Sequence, residues 1–174
     1  MKCTDLLIQD HKIILRALEV LQAMSDRAQK NETVPAEDVA KLLHFLRAFA
    51  DDYHQGKEES ALFPALPQTS LIDFPTVRFM IFEHNQERSL VEGLEEALHT
   101  KKGGEFAYFA NRLNQFLKAH IEKEDVMFEI INRSVSAEQD ERITSEFATF
   151  QLDSKLLADL QLLERKYLKR DACA

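Results

Sequence analysis

Two short segments constrain the fold of this chain most, because each places a histidine four residues before a glutamate in an apolar helical stretch. They are His54-Gln-Gly-Lys-Glu58 and His120-Ile-Glu-Lys-Glu124. Four residues advance an α-helix by about 400°, so the two side chains of a segment lie on one face, one turn apart. Burying such polar groups is unfavourable unless a partner satisfies them. A metal ion is a partner that satisfies several of them at once.

Apolar periodicity along the chain predicts an all-α fold. Apolar residues recur at three- and four-residue steps over four stretches, at about 4–27, 35–63, 76–98 and 105–132. Pro35 and Pro75 stand where two of these helices should begin, and Lys102-Gly103-Gly104 predicts a turn before the last. Four long helices joined by short or moderate loops favour an up-down-up-down four-helix bundle.

The pattern changes after the fourth helix, which suggests a division of the chain. We assign 1–132 to the bundle and 133–174 to a C-terminal helical extension packed on it. Ser136-Ala-Glu-Gln139 resembles a capping box that starts a short helix. A last helix is predicted from its apolar spacing, at Leu156, Leu160, Leu163 and Tyr167.

Charge and composition exclude several classes of partner. The formal net charge is −8 and the sequence shows no basic patch, so no nucleic acid is expected as a partner. No apolar run is long enough to span a bilayer, and the polar N-terminus does not follow a signal-peptide pattern. We therefore expect a cytoplasmic protein without a membrane partner. Cys3 and Cys173 lie at the two extremities, which disfavours a disulfide framework, an iron–sulfur cluster or structural zinc.

Six residues form the candidate metal site, with one histidine on the apolar face of each long helix. The set is His11, His54, Glu58, His84, His120 and Glu124. Any one of these histidines, taken alone, is more simply interpreted as a core residue with a hydrogen-bond partner. That interpretation is poor for all six residues together, because each half of the chain has a histidine followed by a His-x-x-x-Glu segment. Imidazole suits iron, zinc, copper and nickel, and a carboxylate can bridge two ions. The set predicts a dinuclear site for a first-row metal, and we assign no catalytic residue.

Several neighbouring polar residues leave alternatives open. Asp125 points away from the site in a regular helix, but a π-bulge would bring it inward as an alternative to Glu124. Glu59 and Glu87 are further candidates for ligands, although a solvated face is the preferred interpretation for both. His44 and His99 are interpreted as structural.

The combined motifs resemble the hemerythrin-like (HHE cation-binding) family of di-iron four-helix bundles. The matching stretches are Asp10-His11, His54-x-Gly-Lys-Glu58-Glu59, Glu83-His84-x-x-x-Arg88 and His120-x-x-x-Glu124. The resemblance implies that His11, His54, His84 and His120 are terminal iron ligands and that Glu58 and Glu124 bridge two irons. An oxo or hydroxo group would complete the bridge, and manganese or zinc could substitute for iron.

One departure from the family pattern refines the expected function. Oxygen-carrying hemerythrins have a fifth histidine where this chain has Arg88, a fixed cation that cannot ligate. The site thus resembles the four-histidine variant of bacterial hemerythrin-like proteins and of di-iron proteins linked to iron–sulfur centre repair. This implies a protein that binds or reacts with O2, NO or peroxide, with a reductase as a partner. The alternatives are a di-iron enzyme that decomposes peroxide or reduces NO, and an iron donor for iron–sulfur repair.

Overall fold

The computed structural model describes residues 1–66, 74–100 and 103–168, and these ranges contain helices and connections but no strand. The six helices are α1 (Cys3–Gln29), α2 (36–65), α3 (Phe74–Thr100), α4 (Gly103–Ser134), α5 (Ala137–Phe147) and α6 (Ser154–Tyr167). The predicted all-α class is confirmed. Within these ranges, no helix combines the length and the apolar character needed to cross a membrane.

Helix α2 changes its hydrogen-bonding pattern along its length. It is α-helical over Ala36–Phe45, π-helical over Leu46–Gln55 and Glu58–Leu62, and α-helical again over Phe63–Ala65. π-Helical geometry is rare and occurs frequently at functional sites. The polar side chains buried in the middle of this helix are His54, Gln55, Lys57 and Glu58. The wide turns of α2 therefore carry one of the two His-x-x-x-Glu segments into the interior.

Two apolar clusters fill the core, and the candidate ligands lie between them. On α1, His11 lies between Leu7 of the smaller cluster and Ile14 of the larger one. The other long helices repeat this arrangement, with the polar residues lying between Ala50 and Ala61 on α2, between Met80 and Val91 on α3, and between Leu117 and Met127 on α4. The polar residues thus form one layer with apolar packing on both sides.

The C-terminal extension packs against the first two helices. Arg16 of α1 donates to Glu164 of α6 at 2.6 Å, and the Tyr167 hydroxyl donates to Asp38 at the start of α2, also at 2.6 Å. α5 lies against α1 and the second π-helical segment, where the Cys3 backbone N–H donates to Asp140. The extension also contributes to the larger apolar cluster through Leu156, Leu160, Leu163 and Tyr167.

The predicted helix ends agree with the structure in part. The capping box is present, because the Gln139 N–H donates to Ser136 Oγ at 3.2 Å and the Ser136 N–H donates back to Gln139 Oε1. The predicted turn at Gly103 and Gly104 is wrong, since α4 begins at Gly103. The N–H groups in the first turn of a helix have no intrahelical acceptor, so glycine is tolerated there. Residues 67–73, 101–102 and 169–174 lie outside the described ranges.

Candidate metal centre

Four histidines meet in the polar layer as two pairs. The rings of His11 and His54 are 4.6 Å apart between centroids, and the rings of His84 and His120 are 5.0 Å apart. Each pair comes from two helices that are consecutive in the chain, α1 with α2 and α3 with α4. The two halves of the sequence therefore contribute one pair each.

The carboxylate of Glu124 lies between the two histidine pairs. Its Oε2 is 3.3 Å from His11 Nε2, and its Oε1 is 3.1 Å from His120 Nε2 and 3.4 Å from His84 Nε2. Both oxygens are buried. One carboxylate thus faces both halves of the site, as a bridging ligand requires.

Glu58 has the equivalent position on the other side. Its Oε1 lies 3.5 Å from His54 Nε2, and its Oε2 lies 3.4 Å from His84 Nε2. The structure brings together all six residues selected from the sequence. Their ligation of metal remains a prediction that the geometry fits.

The inward atoms converge in two groups that could each hold a metal ion. The first group is His11, His54, Glu58 and Glu124, and the second is His84, His120 and Glu124, with ligand atoms within 4.8 Å of one another in each. Five buried atoms among them make no hydrogen bond within the described part of the chain: His11 Nε2, His120 Nε2, Glu58 Oε1, Glu58 Oε2 and Glu124 Oε2. Buried polar atoms are rarely left unpaired. Cations at the centre of each group would satisfy them.

A second layer of carboxylates contacts the outer nitrogens of the histidines. Asp125 Oδ1 lies 2.7 Å from His11 Nδ1, and Glu59 Oε1 lies 2.7 Å from His84 Nδ1. Glu83 Oε2 lies 2.9 Å from His120 Nδ1. Such contacts fix an N–H at Nδ1 and direct the Nε2 lone pair to the centre, as around metal-bound histidines.

The fourth histidine has a weaker outer contact. Asp10 Oδ2 lies 3.6 Å from His54 Nδ1, which is too long for a hydrogen bond. The same oxygen accepts from Lys57 Nζ at 2.9 Å, and the Lys57 ammonium also lies 3.4 Å from the centroid of the Tyr53 ring. This lysine is only 3% exposed, so Asp10 is held mainly by a buried ion pair.

The second layer repeats between the two halves of the chain. An acid precedes the first histidine of each half, at Asp10 and Glu83, and contacts the second histidine of that half. A Lys-Glu-acid triplet, 57–59 and 123–125, ends each half. In each half, the lysine of the triplet forms an ion pair with the acid that precedes the first histidine. These pairs are Lys57 with Asp10 and Lys123 with Glu83. Sequence reasoning identified the inner six residues and named these outer acids, but it missed their contacts with the outer nitrogens of the histidines, for which the repeated triplet was a usable signal.

Asp125 and Glu87 lie where the sequence left alternatives open. α4 is a regular α-helix at Asp125, whose carboxylate contacts the outer nitrogen of His11 and does not replace Glu124. The expectation of a solvated face is wrong for Glu87, which is 2% exposed, because a residue three positions after His84 shares its face. Glu59 is half-buried against His84. His44 and His99 are exposed and lie outside the site.

Burial and neighbouring carboxylates have opposite effects on the histidines. Burial would lower the pKa of His11, but Asp125 and Glu124 raise it to about 9. Burial would also lower the pKa of His84, but Glu124, Glu59 and Glu58 raise it to about 10. Burial lowers the pKa of His54 to about 4. Without metal, the site therefore holds protons on some of its inward nitrogens.

The two central acids differ in their ionisation. Burial raises the pKa of Glu58 well above its usual range. Burial would also raise the pKa of Glu124, but His120 and His11 lower it well below the usual range. Metal ligation requires a neutral imidazole and an ionised carboxylate, so bound cations would displace the protons of both kinds of group.

The comparison with protein families agrees with this geometry. The family model described as the hemerythrin HHE cation binding domain matches residues 3–131. No curated protein and no solved structure matches the chain. The matched range contains all six inward residues and all four acids of the second layer. The chain therefore belongs to the hemerythrin HHE cation-binding family.

Proposed function

We propose that this protein holds two iron ions between its histidine pairs and that the di-iron centre binds or reacts with O2, NO or peroxide. The observation that carries the proposal is the set of five buried inward atoms without hydrogen-bond partners among the described residues. They belong to two groups that share Glu124, which is what a pair of neighbouring cations needs. Iron at these positions would supply redox chemistry.

The donor set supports a first-row metal. Each position would receive two imidazoles, and the carboxylates of Glu58 and Glu124 would serve both positions. Carboxylates outnumber the lysine and arginine side chains that pair with them around the site, so cations at the centre would offset an excess of negative charge. Imidazole and carboxylate together suit iron, with manganese or zinc as substitutes.

The helix arrangement that we propose is the up-down-up-down bundle. Along α1 and α3 the chain passes from the smaller apolar cluster to the larger one, and along α2 and α4 it passes in the opposite order. This alternation supports four antiparallel helices around one polar layer. Ligands on all four helices would then lie at the same level of the bundle.

Burial of the centre favours small ligands. The six inward side chains are at most 3% exposed, so a diatomic molecule or peroxide suits the site better than a larger substrate. Arg88 does not reach the centre, because it donates to Asp51 at 2.6 Å and to Glu59 at 2.9 Å. A centre that cycles between oxidation states also needs an electron donor, for which we propose a reductase.

Anaerobic reconstitution tests the proposal. Metal-free protein is loaded with Fe2+, analysed for iron, and mixed with O2, NO or hydrogen peroxide in a stopped-flow absorption experiment. We expect two irons per chain and a rapid spectral change with at least one ligand. Fewer than one iron per chain would contradict the metal assignment. Two irons that react with none of the three would contradict the ligand assignment, and repeated turnover would identify an enzyme.

A further inference from the structure

The repeat that relates the two halves of the site is broken at one place. Glu87 follows His84 by three residues, and the equivalent residue after His11 is Ile14. Gln55 follows His54 directly, and the equivalent residue after His120 is Ile121. Ile14 and Ile121 are core residues that are 1% and 3% exposed. The polar pair therefore joins α2 to α3, whereas the equivalent positions on α4 and α1 hold apolar core residues.

The polar pair is buried and ordered by hydrogen bonds. Glu87 is 2% exposed and Gln55 is 1% exposed. Gln55 Nε2 donates to Glu87 Oε2, and Gln55 Oε1 accepts from Arg88 at 3.2 Å. Because a guanidinium only donates, Arg88 fixes the orientation of the amide, and the amide N–H must face Glu87.

Glu87 is thus a buried carboxylate held by a neutral donor. No lysine or arginine side chain in the described ranges makes an ion pair with it. A buried carboxylate without a direct counter-charge is unfavourable. It lies three residues after His84 on the same face of α3, and His120 and His84, the two histidines of the second metal position, are the cationic groups that act on it electrostatically.

We propose that Glu87 is a third metal-ligating carboxylate that serves only the ion held by His84 and His120. The inference rests on the proposed di-metal centre. Glu87 does not belong to the two groups of converging atoms, so its carboxylate would exchange Gln55 for the ion when metal binds. Beside the position of His11 and His54, the equivalent residue is the apolar Ile14. The two ions should therefore bind with unequal affinity, with the His84–His120 position the tighter.

Cobalt titration of the metal-free protein tests this inference. Co2+ is added to wild type and to Glu87→Gln, with calorimetry for affinity and visible absorption for the ligand environment. Wild type should bind two Co2+ ions with different affinities. In Glu87→Gln we expect the tighter affinity to fall about tenfold or more, with the weaker unchanged and with a changed spectrum for one ion. Glu96→Gln, an exposed change on the same helix, should leave both affinities within about twofold.

Thermal unfolding of the same variants separates ligation from a structural role. Glu87→Gln removes a buried charge, so the metal-free variant should unfold at the same temperature as wild type or higher, while the Co2+-induced increase becomes smaller. A lower unfolding temperature for the metal-free variant with an unchanged Co2+-induced increase would overturn the inference. Equal loss of both affinities, or no loss, would overturn it as well. Absence of Co2+ uptake by wild type would instead show that the proposed function is wrong.

Discussion

His11 and Asp125 are 114 residues apart in the chain, and their Nδ1 and Oδ1 atoms lie 2.7 Å apart. Glu59 has the same relation to His84, at the same distance. In both pairs, the acid that follows a candidate bridging glutamate contacts a histidine from the other half of the chain. Each half of the sequence therefore orients a ligand of the other half, which makes the site dependent on correct packing of α1 against α4 and of α2 against α3.

The first prediction concerns this outer contact. Replacing Asp125 by Asn should weaken metal binding by about 10- to 100-fold, because the imidazole of His11 loses the carboxylate that orients it and raises its basicity. Affinity is measured by calorimetric titration with Zn2+ or Co2+. Glu129→Gln, an exposed change one turn further along α4, is the matched control. Equal affinities for Asp125→Asn and the control would contradict a role for this contact.

The second prediction concerns pH. The folded-state pKa values of His11 and His84, about 9 and about 10, lie above the unfolded value of 6.5. Their contribution to the stability of the metal-free protein is therefore fully present below pH 6.5 and is lost as the pH rises through those values. Bound cations displace the same protons. Metal affinity should thus increase between pH 6.5 and 9, by about 1.4 kcal/mol per pH unit for each proton displaced.

Calorimetry in buffers of different ionisation enthalpy measures these protons directly. Near neutral pH, Zn2+ binding should release about two protons per chain or more, since Glu58 also has a raised pKa. A His84→Gln variant, which lacks one of the raised groups, should release fewer. Release of less than one proton by wild type would show that the metal-free histidines are neutral.

Parts of this structure could be predicted from the sequence because they depend on local geometry. A His-x-x-x-Glu spacing places both side chains on one helix face whatever surrounds the helix, so His120 and Glu124 were recognisable. Local spacing contains no information on contacts between helices that are distant in the chain. The π-helical geometry of α2 and the contact of Asp125 with His11 depend on such contacts. Burial is not contained in local spacing either: Phe79 and Phe82 of α3 are 48% and 55% exposed, since apolar character alone does not determine burial.

The third prediction uses the two lysines of the repeat as a matched pair. Lys57 and Lys123 make the same kind of contact, but Lys57 is buried beneath Phe147 of α5, whereas the side chain of Lys123 is 43% exposed. Replacing Lys57 by Met leaves Asp10 buried without its partner and should cost about 3 kcal/mol or more of unfolding free energy. Lys123→Met should cost less than about 1 kcal/mol. Urea denaturation of the metal-free proteins gives both values, and equal losses would refute the argument from burial.

The fourth prediction separates the two bridging candidates. Glu124 contributes to both groups of converging atoms, and its oxygens lie within 3.4 Å of His11, His84 and His120. Glu58 contributes to the first group and reaches the second only through its contact with His84. Glu124→Ala should therefore abolish binding of both ions, whereas Glu58→Ala should retain at most one.

Elemental analysis after reconstitution with Fe2+ and removal of unbound metal measures both outcomes. Glu122→Ala, an exposed change two residues before Glu124, is the control and should retain two irons per chain. Circular dichroism of the metal-free variants verifies that each remains helical, so that a loss of iron reflects the missing carboxylate. Two irons per chain in the helical Glu124→Ala variant would be incompatible with a bridge at this position, because the carboxylate that contributes to both groups of ligand atoms is then absent.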